Sequence, residues 1–158
     1  MKRQRPANGD IFGVPLPDDT YALGQVLGRE RDALNSIGCA FFGAIARAGE
    51  SLVGLPELLH QTPIAVLLTT PESLTKGIWP ILANHTVVLR RKDIPYERFR
   101  SNGWVGVKIE GSGIIRRFLA AYHGQVPWDQ FHDPNYLDGL LLPSCKRPTN
   151  VVLIKSQA

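Results

Sequence analysis

The residues able to do chemistry are few and scattered. The chain has four histidines, His60, His85, His123 and His132, and none stands in the HxH or HxxxH spacing that turns two imidazoles toward one metal. Only His132 has a carboxylate beside it, Asp133. His85, His123, His132 and Asp133 could form a ligand set only by converging through the fold; the plainer reading of each is a surface or hydrogen-bonded residue. Cys39 lies in an apolar run and reads as core. Cys145 lies in the turn-rich LPSCKRP segment, where Lys146 would favour its thiolate but no histidine accompanies it in sequence. GxSxG, HExxH, GxxxxGK[ST] and paired CxxC motifs are all absent. The Gly111, Gly113 pair at a predicted helix start could hold an anion on free N–H groups, but the plainer reading is a strand-to-helix turn. No catalytic residue, metal ligand or cofactor is assigned.

Recognition by aromatic residues is the other chemistry on offer. Trp79, Trp104 and Trp128, with Tyr96, Phe131 and Tyr136, can either fill a small α+β core or form a binding surface, because Trp and Tyr bury much area and keep a polar handle. Prolines flank Trp79 and Trp128, which makes those two the better surface candidates. The candidate partner surface is therefore Trp79, Asn84, His85, Tyr96, Trp128, His132 and Tyr136.

Charge narrows the partner class. The 158 residues carry a net charge of +4, but Lys2, Arg3 and Arg5 supply three of the eighteen cations, leaving fifteen against fourteen carboxylates. Residues 1–8 read as a basic flexible tail and residues 9–158 as one domain, long enough to bury a core without disulfides. Arg90, Arg91, Lys92, Arg98 and Arg100 form a second basic cluster, but Asp93 and Glu97 interleave with it and suggest a mixed-charge surface. Nucleic acid is thus the weaker partner. A nucleic-acid-binding barrel stays as the third function class. No apolar run approaches the roughly 20 residues of a membrane-spanning helix, and no signal peptide is read, so a soluble cytoplasmic protein is expected.

The elements that must position these residues are led by residues 9–27. Residues 10–15 read as a short strand and 16–20 as a turn built from prolines and aspartates. From Tyr21 the chain alternates: Tyr21, Leu23, Gln25 and Leu27 share one face, and the small Ala22, Gly24, Val26 and Gly28 the other. This pattern predicts a hairpin opening a curved antiparallel sheet. Further strands are predicted at residues 37–47, 64–70, 78–82, 87–90, 104–109 and 150–155, with a helical turn after Pro71 and a short helix after Pro56. The clearest helix spans residues 112–123. Ser112 is its N-cap, Ile114, Ile115, Phe118, Leu119 and Tyr122 form its apolar face, Arg116, Arg117 and Ala121 point outward, and Gly124 stops it. The fold class is α+β: a curved antiparallel sheet or partly open small barrel, packed by that helix and by short helical turns.

Gly9-Asp10-Ile11-Phe12, Pro15-Leu16, Tyr21-Ala22, Gly24 and Val26 resemble the opening signature of the immunity protein 26 family of bacterial polymorphic toxin systems. Lys76-Gly77 before Trp79, Gly111-Ser112-Gly113, Pro127-Trp128-Asp129 and the run from Asp133 through Asp138 are similar to that family's second half. Asp19 stands where the family commonly has glycine. The resemblance implies a small protein that binds and neutralises a cognate toxin domain without catalysis. Immunity proteins against basic nucleases are often acidic, and this nearly neutral body gives no support for a nuclease target. Some members carry a phosphotriesterase-like label, which implies as alternative a metal-dependent hydrolase drawing on His85, His123, His132 and Asp133.

Overall fold

The computed structural model describes residues 2–50, 52 and 54–154. Its centre is a six-stranded sheet in the order β5-β1-β2-β3-β4-β6, formed by β1 (Asp10–Pro15), β2 (Thr20–Glu30), β3 (Ser36–Arg47), β4 (Ala65–Thr69), β5 (Ile81–Asn84) and β6 (Ile109–Glu110). Neighbours are antiparallel except β4 and β6, so the sheet is mixed. It is curved and does not close. Register shifts between Ala22 and Gly24, Val26 and Gly28, and Ile11 and Phe12 mark irregularities of the kind that bend a ladder.

The opening hairpin is the predicted one. Leu16 N–H donates to Thr20 O across the turn (2.8 Å), and Asp18 Oδ1 accepts from the N–H and hydroxyl of Thr20. Asp19 sits at φ 67°, in the left-handed region where glycine is at ease and aspartate is one of the few tolerated substitutes. Asp19 thus keeps a conformation that glycine would supply most easily.

Alternation along the strands produces two apolar layers rather than one. Phe12, Val14, Ala22, Val26, Ile37, Cys39 and Phe41 face the layer of helix α3 (Ser112–Tyr122). Ile11, Ala40, Phe42, Val66 and Leu68 face the opposite layer. That second face is covered by α1 (Leu55–Leu59) and by a 3-10 helix, Pro95–Asn102. A single turn, α2 (Glu72–Thr75), follows Pro71 and ends before Gly77 at φ 78°. Two details of α3 differ from expectation. Gly111 takes the N-cap position with no side-chain cap, so Ser112 is already helical. Ala121 is buried in the α3-side core instead of pointing outward.

Three predicted strands are absent among the described residues. Residues 87–90 run without ladder partners over the second face. Residues 104–108 turn instead of extending, since Trp104 (φ 68°) and Gly106 (φ 81°) are left-handed, and only Ile109–Glu110 pairs. Residues 150–154 make one isolated bridge, Pro127 with Val152, and Lys155 lies outside the described residues. Residues 2–8 run back along the body. Gln4 Nε2 donates to Leu74 O (2.8 Å) and Trp79 O (3.0 Å), and its Oε1 accepts from Ile81 N–H (2.8 Å). No helix among the described residues is long and apolar enough to cross a membrane.

Candidate functional site

The motif residues prove to be packing devices. Phe12 stacks on Trp79 with centroids 5.6 Å apart and planes 2° from parallel, and Phe41 meets both rings edge-on. Gly24 makes room for that stack: a Cβ there would stand 2.6 Å from the Phe12 ring. Gly9, at φ 89°, lies directly against His85 O, and His85 N–H donates to Gly9 O (3.0 Å). Asn84 Nδ2 donates to Asp10 Oδ1 (2.9 Å), while Asp10 Oδ2 accepts from Ala7 N–H. Gly77 passes beneath Lys2 O, where a Cβ would not fit. In the second half, Trp128 Nε1 donates to Asp138 Oδ1 (3.1 Å), and Asp133 Oδ1 accepts from Asn135 N–H.

The seven candidate surface residues do not come together. Trp79 and Trp128, 1% and 0% exposed, lie inside the α3-side core. Tyr96 is buried in the opposite layer. Asn84 and His85 hold the N-terminal strand at the β5 edge and remain partly accessible. His132 is exposed and Tyr136 half-buried on the α3 side. There Tyr136 belongs to a ladder that no spacing in the chain announces. Lys108 Nζ lies 4.4 Å above the Tyr136 ring, Tyr136 and Phe131 are 5.1 Å apart, and the Arg117 guanidinium lies 5.8 Å from Phe131. The Tyr136 hydroxyl also donates to Glu110 Oε2 (3.1 Å), and Lys108 pairs with Glu110 Oε1 (3.1 Å). The Tyr136 hydroxyl and Glu110 together hold the Lys108 ammonium above its ordinary pKa, against partial burial.

Among the hollows on the opposite face, two are separated by the irregular crossing at residues 87–94. A cleft of about 460 Å³ has Gln25 and Phe42 in its floor and His60, Val88, Arg90 and Leu142 around it. Gln25 is buried and donates through Nε2 to His85 O (2.9 Å), which fixes where the crossing leaves the sheet. Beyond the crossing is a groove of about 550 Å³ between the β2–β3 turn and the 3-10 helix, bordered by Arg29, Arg31 and Arg91 over Val87, Leu89 and Ile94. Neither Arg29 nor Arg31 is assigned to a site by the sequence, because nothing local says that the end of β2 and the turn after it will face residues 87–100.

One ion cluster organises this groove. Arg100 is bidentate to Glu30 (2.9 and 2.6 Å) and to Glu97 (2.8 and 2.7 Å), and its guanidinium lies 4.7 Å from the Trp104 ring centroid. Hydrogen bonds from Arg100 hold Glu97 below the ordinary carboxylate range, while the two carboxylates raise Arg100 further. Burial pushes the Tyr96 phenol and the Cys39 thiol up, which keeps both neutral. Burial also pushes His123 down, opposed by Asp18, and His123 Nε2 is enclosed with no hydrogen-bond partner.

Among the described residues, no three His, Cys, Asp or Glu side chains converge as a metal-binding group. His85 lies at the β5 edge, His123 at the end of α3, and His132 and Asp133 in the loop before the last 3-10 turn. Cys145 donates to Pro63 O (3.4 Å).

Residues 7–105 match the family model described as Immunity protein 26. The match covers the sheet through β5 and the basic crossing, and stops before α3. No curated protein and no solved structure matches.

Proposed function

The chain belongs to the immunity protein 26 family, and from that membership we propose that it neutralises a cognate protein toxin by binding it and occluding its working surface, without catalysis. The observation that carries the reading is the family match over residues 7–105. The fate of the motif residues supports it: Gly9, Asp10, Phe12, Gly24, Gly77 and Trp79 are all engaged in holding strands and rings together. A family defined by such residues shares a scaffold, and its outer surface is free to follow whichever partner each member meets. The toxin is read as a domain of a polymorphic toxin system, met in the cytoplasm of the cell that makes this protein.

Co-expression with the toxin domain encoded beside this chain's gene tests the proposal. The expected outcome is survival of the host and a one-to-one complex on size exclusion with light scattering. Toxicity unaffected by this protein, with no co-purification, would overturn it.

A further inference from the structure

Charge in this protein is distributed far less evenly than its sequence suggests. The end of β2 with the turn after it, residues 29–32, and residues 90–100 contribute seven cations, Arg29, Arg31, Arg90, Arg91, Lys92, Arg98 and Arg100, against Glu30, Asp32, Asp93 and Glu97. The fold sets these two segments on either side of one groove, with Arg91 and Arg100 common to it and to a shallower hollow that continues past Lys92 and Arg98. This face is therefore +3 and the N-terminal residues 2–8 are also +3, so the remainder of a chain of net +4 is −2.

The local carboxylates do little to neutralise the rim. Glu30 and Glu97 are both taken by Arg100, with Arg91 3.7 Å from Glu97, and Asp93 is held by Arg90 (3.2 Å). Lys92 and Arg98 are exposed and form no ion pair among the described residues, and Arg31 is likewise exposed without one. Val87, Leu89 and Ile94 are apolar residues of the groove, beside Arg29, Arg31, Arg91 and Arg100, while Lys92 and Arg98 line the hollow that continues it.

We propose that this groove is the docking surface for an acidic segment of the partner toxin domain; the inference deepens the toxin-binding reading and rests on it. Unpaired cations in the groove and its continuation, beside apolar side chains of the lining, suit a segment in which carboxylates flank an aliphatic side chain, and fields of this sign raise the rate of encounter with an acidic partner. A nucleic-acid strand is disfavoured, because single-strand sites present aromatic faces for stacking. Here Tyr96 and Trp104 are buried, Arg100 covers Trp104, and the Arg98 guanidinium lies 4.7 Å from the Phe99 ring centroid.

The test measures association of the full chain with the toxin domain encoded beside its gene, across ionic strength. The triple variant Arg31→Glu/Lys92→Glu/Arg98→Glu changes only exposed side chains outside the Arg100 clamp. The control, Arg116→Glu/Arg117→Glu, reverses charge on α3. The expected result is a tenfold or greater fall in association rate for the triple variant at low salt, shrinking as salt rises, with the control within threefold of the unmodified protein. A triple variant within threefold of the unmodified protein, or a control that loses as much, overturns the docking surface and leaves toxin binding standing. Absence of binding by the unmodified protein overturns the toxin-binding reading itself. A DNA or RNA oligonucleotide that binds the unmodified protein and is lost in the triple variant, with toxin binding unchanged, assigns the groove to nucleic acid and also overturns the proposal.

Discussion

The hydroxyl of Tyr96 occupies the place where a Cβ on Gly38 would stand. Gly38 lies in β3, and Tyr96 in the 3-10 helix that covers the second face, so this contact sets how closely the helix that walls the basic groove approaches the sheet. Adding one methyl would press on the Tyr96 hydroxyl, and the ring that carries it is buried, so the helix or the strand must shift.

Gly38→Ala is therefore expected to destabilise the protein by about 1–3 kcal/mol, the usual range for overpacking. Tyr96→Phe removes the clashing oxygen and should recover part of that loss in the double variant. A urea-denaturation cycle checks this, and additive single effects would show that the two residues do not compete for the same space.

How far the sequence could be read follows from the same kind of contact. β2 and α3 announce themselves because their residues repeat at period 2 and 3.6, and β1, β3 and β4 because they are apolar runs that the backbone keeps extended. Residues 87–90 and 104–109 carry a similar pattern but not the backbone: Trp104 is held left-handed with its N–H on Phe99 O (2.8 Å), a constraint that comes from the folded 3-10 segment. Prolines beside Trp79 and Trp128 suggested surface rings. The structure turns both into the core, where Gly24 and Phe12 make the slot for one and Asp138 satisfies the indole of the other. The basic groove was half legible. Arg90 to Arg100 is visible as a cluster, whereas the contribution of Arg29, at the end of β2, and of Arg31, in the turn after it, depends on where the fold sets that hairpin.

Trp79→Ala removes the ring sandwiched between β1 and the rest of the α3-side core, and should cost about 3–5 kcal/mol. Its near-ultraviolet circular dichroism should collapse with stability, as befits a core residue. A variant that kept its urea midpoint within experimental error would contradict the placement of Trp79.

Arg100→Gln leaves Glu30 and Glu97 facing each other without their shared cation. A loss of about 2 kcal/mol at neutral pH is expected, between the values for exposed and for well-formed charged hydrogen bonds. The pH dependence carries a sign as well. Glu97 is held below its ordinary value of 4.5, so its contribution is present above that pH and is lost as pH falls through the folded value. Denaturation midpoints taken from pH 6 down to pH 3 should fall more steeply for the unmodified protein than for the variant, and parallel curves would contradict the clamp.

His123 closes α3 with its Nε2 enclosed and unpartnered, and burial lowers its pKa from 6.5 even though Asp18 pulls the other way. The unfolded chain then takes up a proton at this position at a higher pH than the folded one. Stability associated with neutral His123 is thus fully present above about pH 6.5 and declines as pH falls toward the folded value. Urea midpoints measured at pH 7.5 and 5.5 should differ in that direction. His123→Phe keeps a ring in place and removes the titration, so its two midpoints should lie closer together than those of the unmodified protein. An equal drop in both proteins would assign the pH dependence elsewhere and leave the His123 enclosure without thermodynamic effect.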